Sequence, residues 1–115
     1  AAFLIVNGLS GNMITMTATP GNKSQGWWQG VGFYSNNPNN ELDYVQIEFG
    51  GSTDWGRMGA AANVGLNLDA NLTLTNSIIN DSGQHGVHCD EAEGMLTTSG
   101  NSFNNNAGNP VNGCS

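Results

Sequence analysis

Both histidines and three of the nine carboxylates of this chain fall in one stretch, His85-Gly86-Val87-His88-Cys89-Asp90-Glu91-Ala92-Glu93. If the stretch is a strand with Val87 facing inward, His88 and Asp90 face outward together, because side chains alternate along a strand. His88, Asp90 and one of Glu91 or Glu93 then offer imidazole and oxygen donors suited to a divalent metal such as Ca²⁺, Zn²⁺ or Mn²⁺. The competing reading is a solvated turn with surface charge, which the absence of a known ligand spacing favours. No other cofactor is expected. Aromatic residues form the second candidate set. Of the adjacent Trp27 and Trp28, one must face in and one out; an outward Trp27, with Tyr34 and Trp55, is a candidate for a carbohydrate-stacking surface. Packing of the loop at residues 52–59 over the body of the protein is the alternative for Trp55. Asn22, Asn71 and Asn80 each begin an Asn-x-Ser/Thr triplet, the acceptor pattern for N-glycosylation.

The elements that must carry these residues are written into the chain as repeats. Residues 72–87 and 96–111 are one segment repeated at an offset of 24 (96 − 72, 103 − 79, 104 − 80, 111 − 87). Leu96 falls on Leu72, Phe103 on Ile79, Asn104 on Asn80 and Val111 on Val87. Residues 42–51 map onto 74–83 at an offset of 32 (79 − 47, 83 − 51), and the surplus fits a loop around residues 52–59. Short β-rich periods of this kind belong to solenoids, whose coils cannot bury an apolar face alone and so stack on one another. Leu72, Leu74, Ile79, Val87, Leu96, Phe103 and Val111 are expected to point inward. Asn and Gly mark the corners, since both tolerate left-handed backbone, and Asn80 above Asn104 is placed to form a side-chain ladder. The pattern predicts strands at residues 13–18, 27–34 and 63–68 as well, and no window shows a helical period with caps.

Composition narrows the partners. The 115 residues suit a single domain, 1–115, with 10% charged residues and a formal net charge of −7. Lys23 and Arg57 are the two basic residues. Nucleic acid needs a basic footprint and is excluded as a partner, and anionic membrane surfaces are disfavoured with it. No apolar run approaches the ~20 residues of a membrane span. Ala1-Ala2 is compatible with a position following a signal cleavage site. Cys89 and Cys114 lie 25 apart (114 − 89), one more than the repeat. They therefore fall at nearly the same place on consecutive coils. Stacked strands ~4.8 Å apart bring such residues within disulfide reach. A disulfide is expected, and with it an extracellular or cell-surface location.

Three segments carry a family resemblance. Gly26, Trp28, Gly30, Val31 and Phe33 form the first, Leu42, Tyr44, Val45, Ile47, Phe49, Gly50 and Gly51 the second, and the Asn-Ser-x-Ile and Asn-x-Phe-x-Asn-Asn coils the third. Over residues 13–111 the chain resembles the right-handed parallel β-helix, or pectate-lyase-like, superfamily. The resemblance implies an all-β right-handed parallel β-helix, here of about four coils, without significant helix. It does not choose among the superfamily's lyases, hydrolases, adhesins and structural surface proteins. The run Ser82-Gly83-Gln84-His85-Gly86 resembles the Gly-His-Gly of polygalacturonases, but the Asp pair and the Arg-x-Lys that go with it are missing here. Pectate-lyase chemistry implies Ca²⁺ held by several Asp residues and an Arg base, for which Arg57 beside Asp54 is the candidate. The expectation is a non-catalytic extracellular module, structural and self-assembling, with carbohydrate binding as a further role. The alternative is a carbohydrate-active enzyme or part of one. Self-assembly is expected from the ends: Phe3, Leu4, Ile5 and Val6 are an apolar β-prone run at an open edge, which invites a neighbouring chain to form an oligomer or filament; the competing explanation is that the chain is a fragment of a longer solenoid whose further coils cover that edge.

Overall fold

The structure is a computed structural model that describes residues 2–55, 59–67, 69–90 and 95–114. Strands account for all regular structure among them, and no helix occurs there. The strands are β1 (Ile5–Asn7), β2 (Ile14–Met16), β3 (Val31–Phe33), β4 (Glu41–Asp43), β5 (Val45–Glu48), β6 (Ala62–Leu66), β7 (Asn71–Thr75), β8 (Ile78–Asn80), β9 (His85–Cys89), β10 (Met95–Ser99), β11 (Ser102–Asn104) and β12 (Val111–Asn112). They pair in parallel in three four-stranded sheets, ordered β1-β4-β7-β10, β2-β5-β8-β11 and β3-β6-β9-β12. The chain thus visits the three sheets in rotation, completing a circuit every three strands and laying each circuit on the last.

The repeat offsets are the strand registers. Leu96 pairs with Leu72, Phe103 with Ile79, Asn104 with Asn80 and Val111 with Val87. One circuit earlier Leu74 pairs with Leu42 and Ile79 with Ile47, an offset of 32, while Val87 pairs with Val64, an offset of 23 (87 − 64). The difference places nine surplus residues (32 − 23) between β5 and β6, where residues 52–59 lie.

Inward-facing side chains stack in rows along the pile, and these rows are the core. Leu42 and Leu74, Ile47 and Ile79, and Val64 and Val87 are fully buried in the middle circuits. Each such Leu or Ile burial contributes about 1.5–3 kcal/mol of transfer free energy. Leu96 and Phe103 are only half-buried and Val111 is 38% exposed, so the inward expectation weakens at the last circuit, which has a covering neighbour on one side alone.

Corners are where backbone needs override residue type. Tyr44 and Asn76 have φ of 52° and 51°, and the equivalent Gly100 has 71°. At the next corner Phe49, Asp81 and Asn105 have φ of 65°, 57° and 56°. Asn, Asp and Gly tolerate this left-handed conformation, whereas Tyr44 and Phe49 occupy it at a cost. Asparagine also acts inside the corners. Asn63, Asn101 and Asn106 each accept a backbone N–H on Oδ1, from Gly50, Ser77 and Ser82. Each also donates from Nδ2 to the carbonyl three residues before that N–H, on Ile47, Leu74 and Ile79. One amide therefore clamps the two ends of a tight bend whose polar groups would otherwise be orphaned. The expected Asn80–Asn104 ladder is not made: the two residues are in register, but Asn80 Oδ1 is buried without a partner.

The predicted aromatic strand at 27–34 is shorter than expected. Only Val31–Phe33 pairs, because Gly26 and Gly30 take φ of 77° and 111° and turn the chain before it. The strand expected at 63–68 is Ala62–Leu66, and Leu68 lies outside the described residues.

Candidate functional site

The outer face of the β3-β6-β9-β12 sheet gathers most of the chemistry-bearing residues. One outward row reads Gly32, Gly65, His88 and Asn112. The two glycines make room for Trp55, which the loop between β5 and β6 lays across them. A Cβ at Gly32 would sit 2.7 Å from Trp55 Cζ3, and one at Gly65 would sit 2.8 Å from its Nε1. Trp55 is half-buried in consequence, with its Nε1 enclosed and unpartnered. Packing of the loop over the sheet thus describes Trp55 better than a free-standing aromatic. Tyr34, just past β3, is 62% exposed and lies against the same Gly32. Trp27 is also exposed. Trp28 is the inward member of the pair: it packs on the core and donates from Nε1 to the Glu48 carbonyl at 2.8 Å.

Further along the row, His88 and Asp90 are both buried rather than displayed on a solvated turn. His88 Nδ1 lies 3.0 Å from Asn112 Nδ2. His85 stacks on the His88 ring with centroids 5.7 Å apart, and its Nδ1 accepts the Asn109 N–H at 3.0 Å. Burial, and then the neighbouring His88, hold the His85 pKa below its ordinary value of 6.5. Glu91 and Glu93 lie outside the described residues, as does Arg57. Among the described residues no three His, Cys, Asp or Glu side chains converge to hold a metal ion.

No known protein family, curated protein or solved structure matches this chain. Its chemistry therefore rests on its own geometry. Cys89 and Cys114 form a disulfide, S–S 2.05 Å and Cα–Cα 4.8 Å, that joins the third circuit to the segment after β12. The extra residue in their spacing is absorbed by Gly113 at φ 75°. Among the glycosylation candidates, Asn22 is exposed and hydrogen-bonded to Thr19 Oγ1, Asn71 donates to the Asn36 carbonyl at 2.5 Å, and Asn80 is half-buried in β8.

Two features were not legible in the residue types. One is a buried carboxylate on the outer face of the second sheet. Glu48 is held by Thr17 Oγ1 at 2.7 Å and by the Gln46 amide. The other is a cleft of about 210 Å³ at the first circuit, lined by Phe3, Leu4, Gly32, Phe33, Tyr34 and Asn40 among others. Asn40 is 2% exposed, and its amide accepts the Leu4 N–H and donates to the carbonyls of Ser35 and Asn71. Among the described residues the outermost strands of the three sheets are β1, β2 and β3 on one side and β10, β11 and β12 on the other. Phe3, Leu4 and Ile5 are exposed at the first of these, and Val6 is half-buried against the core.

Proposed function

We propose that this chain is a right-handed parallel β-helix of the pectate-lyase-like kind and serves as a non-catalytic extracellular structural module that assembles through its ends. The observation that carries the reading is the make-up of the edge strands β1, β2, β3, β10, β11 and β12, which hold no charged residue and no proline among the described residues. Ile5, Ile14, Met95 and Val111 lie exposed on those edge strands. Exposed edges of this kind are templates for another chain. The disulfide supports an oxidising, extracellular setting, and no helix among the described residues is long and apolar enough to cross a membrane. The test is incubation with pectin, polygalacturonate and alginate. The expected result is no release of unsaturated or reducing ends. Release that is lost in Arg57→Ala or His85→Ala would overturn the reading in favour of a polysaccharide lyase or glycoside hydrolase.

A second role, glycan binding, is favoured by Trp55 lying flat over Gly32 and Gly65 with exposed Tyr34 beside it. Flat aromatic faces of this kind stack on sugar rings. A glycan array read with the wild-type chain and with Tyr34→Ala checks it, and equal signal from both would remove the role. A Ca²⁺ or other divalent ion at His88 and Asp90, completed by Glu91 or Glu93, is tested by calorimetric titration with CaCl₂ and ZnCl₂.

A further inference from the structure

Two glycines on the β3-β6-β9-β12 sheet carry an indole along its full length. Gly32 and Gly65 are partners in register on neighbouring strands, ~4.8 Å apart. A Cβ at Gly32 would meet Trp55 Cζ3 and Cε3 at 2.7 and 3.1 Å. One at Gly65 would meet Trp55 Nε1, Cδ1 and Cε2 at 2.8, 3.0 and 3.0 Å. The six-membered ring therefore lies on one glycine and the five-membered ring on the next. The indole runs along the pile with one face flat on bare backbone. Its main chain is pinned by the Trp55 N–H, which donates to the Ala60 carbonyl at 3.2 Å. Because Nε1 is enclosed, the part of the ring that stays exposed is carbon. Tyr34 lies two residues past Gly32, on the same side of the strand. Its Cε1 comes within 3.1 Å of the same Cβ position, and it is 62% exposed. Trp55 and Tyr34 thus share one apolar surface, which faces sideways from the pile and not along it.

Charge decides what such a surface can hold. The strands of this sheet contain no lysine and no arginine. The carboxylates that flank it are Asp54, exposed immediately before Trp55, and Asp90, buried just past β9. Beyond Gly65 the row continues with His88 and Asn112, and Asn109 Nδ2 donates to Asn112 Oδ1 at 3.0 Å. Carboxamides both donate to and accept from hydroxyls. The formal net charge of −7 adds a field that repels polyanions. From this we infer that the Trp55–Tyr34 surface binds an uncharged polysaccharide of hexopyranose units and discriminates against polyuronates. The inference rests on the glycan-binding role above and adds the class of glycan. The C–H face of an uncharged sugar ring packs on the exposed carbon of the two aromatic rings. Its hydroxyls are left to water and, further along the row, to the carboxamides. A polyuronate brings a carboxylate on every ring into a site that offers carboxylates and no described base.

The test is calorimetric titration of the chain with four soluble polymers: hydroxyethyl cellulose, carboxymethyl cellulose, galactomannan and polygalacturonate. The first two share one backbone and differ in charge. The expected result is binding to hydroxyethyl cellulose and galactomannan that salt leaves unchanged. Carboxymethyl cellulose and polygalacturonate should bind at least about tenfold more weakly at low salt. Two variants locate the site. Tyr34→Ala removes an exposed ring, so the fold tolerates it. Gly65→Ala keeps every aromatic residue but lifts the indole off the sheet. Each should weaken binding of the uncharged polymers about tenfold, with the far-UV circular dichroism unchanged. If Gly65→Ala does not fold, Tyr34→Ala decides alone. Equal or tighter binding of the two charged polymers overturns the inference and leaves the glycan-binding role standing. Binding of the uncharged polymers that Tyr34→Ala leaves intact removes this surface as the site. No binding of any of the four removes the role and the inference together.

Discussion

The first and last circuits have the same three strands but are held by different means. The first carries long connections that pack against it: Ala18 and Phe33 are enclosed, Trp28 packs on the core, and Gln25 is tied to Asn105, while Val6, Met16 and Val31 stay half-buried. The connections within the last circuit, residues 100–101 and 105–110, are short, and Leu96 and Phe103 stay half-buried. Directional bonds take over there. Asn101 and Asn106 clamp the corners above them, Asn109 and Asn112 meet the two histidines, and the disulfide adds a covalent tie. The lesson is that a stacked circuit can be retained by burial or by specific bonds, and that short connections force the second.

The largest effect should come from the middle rows, the standard against which both ends are measured. Leu74→Ala empties a fully enclosed site and should cost about 3–4 kcal/mol in urea unfolding. Leu96→Ala, half-exposed at the end, should cost less than half as much. Equal costs would mean that the last circuit is covered in solution. Next, Cys114→Ala opens a 25-residue crosslink and should lower stability by about 3 kcal/mol. Hydrogen exchange should then rise first in β12 and leave β3 unchanged; uniform loss would argue against separate means of retention. Asn106→Ala leaves the Ser82 N–H and the Ile79 carbonyl unmet and should cost about 1–2 kcal/mol. Asn104→Ala, exposed two residues earlier, should be neutral within about 0.5 kcal/mol. The smallest effect is with pH. The His85 pKa is lowered on folding, so the unfolded chain binds the proton more readily. The stabilising contribution is complete above the unfolded value of 6.5 and is lost as pH falls from there towards the folded value. Amide exchange at Asn109, whose N–H bonds Nδ1, should rise over that window, and His85→Gln should abolish the pH dependence.

Much of the strand pairing was legible because stacking repeats the same demand every circuit. Leu72 and Leu96, or Ile79 and Phe103, meet the same neighbours and are chosen alike. The disulfide and the placing of a surplus around residues 52–59 followed from the repeat offsets. Corners were harder to read. A left-handed backbone suggests Asn or Gly, yet Tyr44 and Phe49 occupy such corners where neighbouring circuits over-determine them. The amide clamps were hidden because Asn63, Asn101 and Asn106 are indistinguishable by type from the exposed Asn104 and Asn105. Residue types leave Trp55 open between display and packing, because nothing in Gly32 or Gly65 announces that both are kept small for one ring. Burial of His88 and Asp90 was likewise invisible to strand alternation, which assigns a face but not what covers it.

The bond from Gln25 to Asn105 spans 80 positions of the chain. A ribosome releases Gln25 long before Asn105 exists. Circuit can be laid on circuit as the chain emerges, each new strand finding its template already formed, but residues 17–30 cannot complete their contacts until β11 is in place. A segment made early is thus among the last to be fastened. Loop closure over so long a separation is the slow, high-contact-order event of this topology. Folding from the first residue onward should show rapid growth of β structure followed by a distinct, later locking of the Gln25 segment.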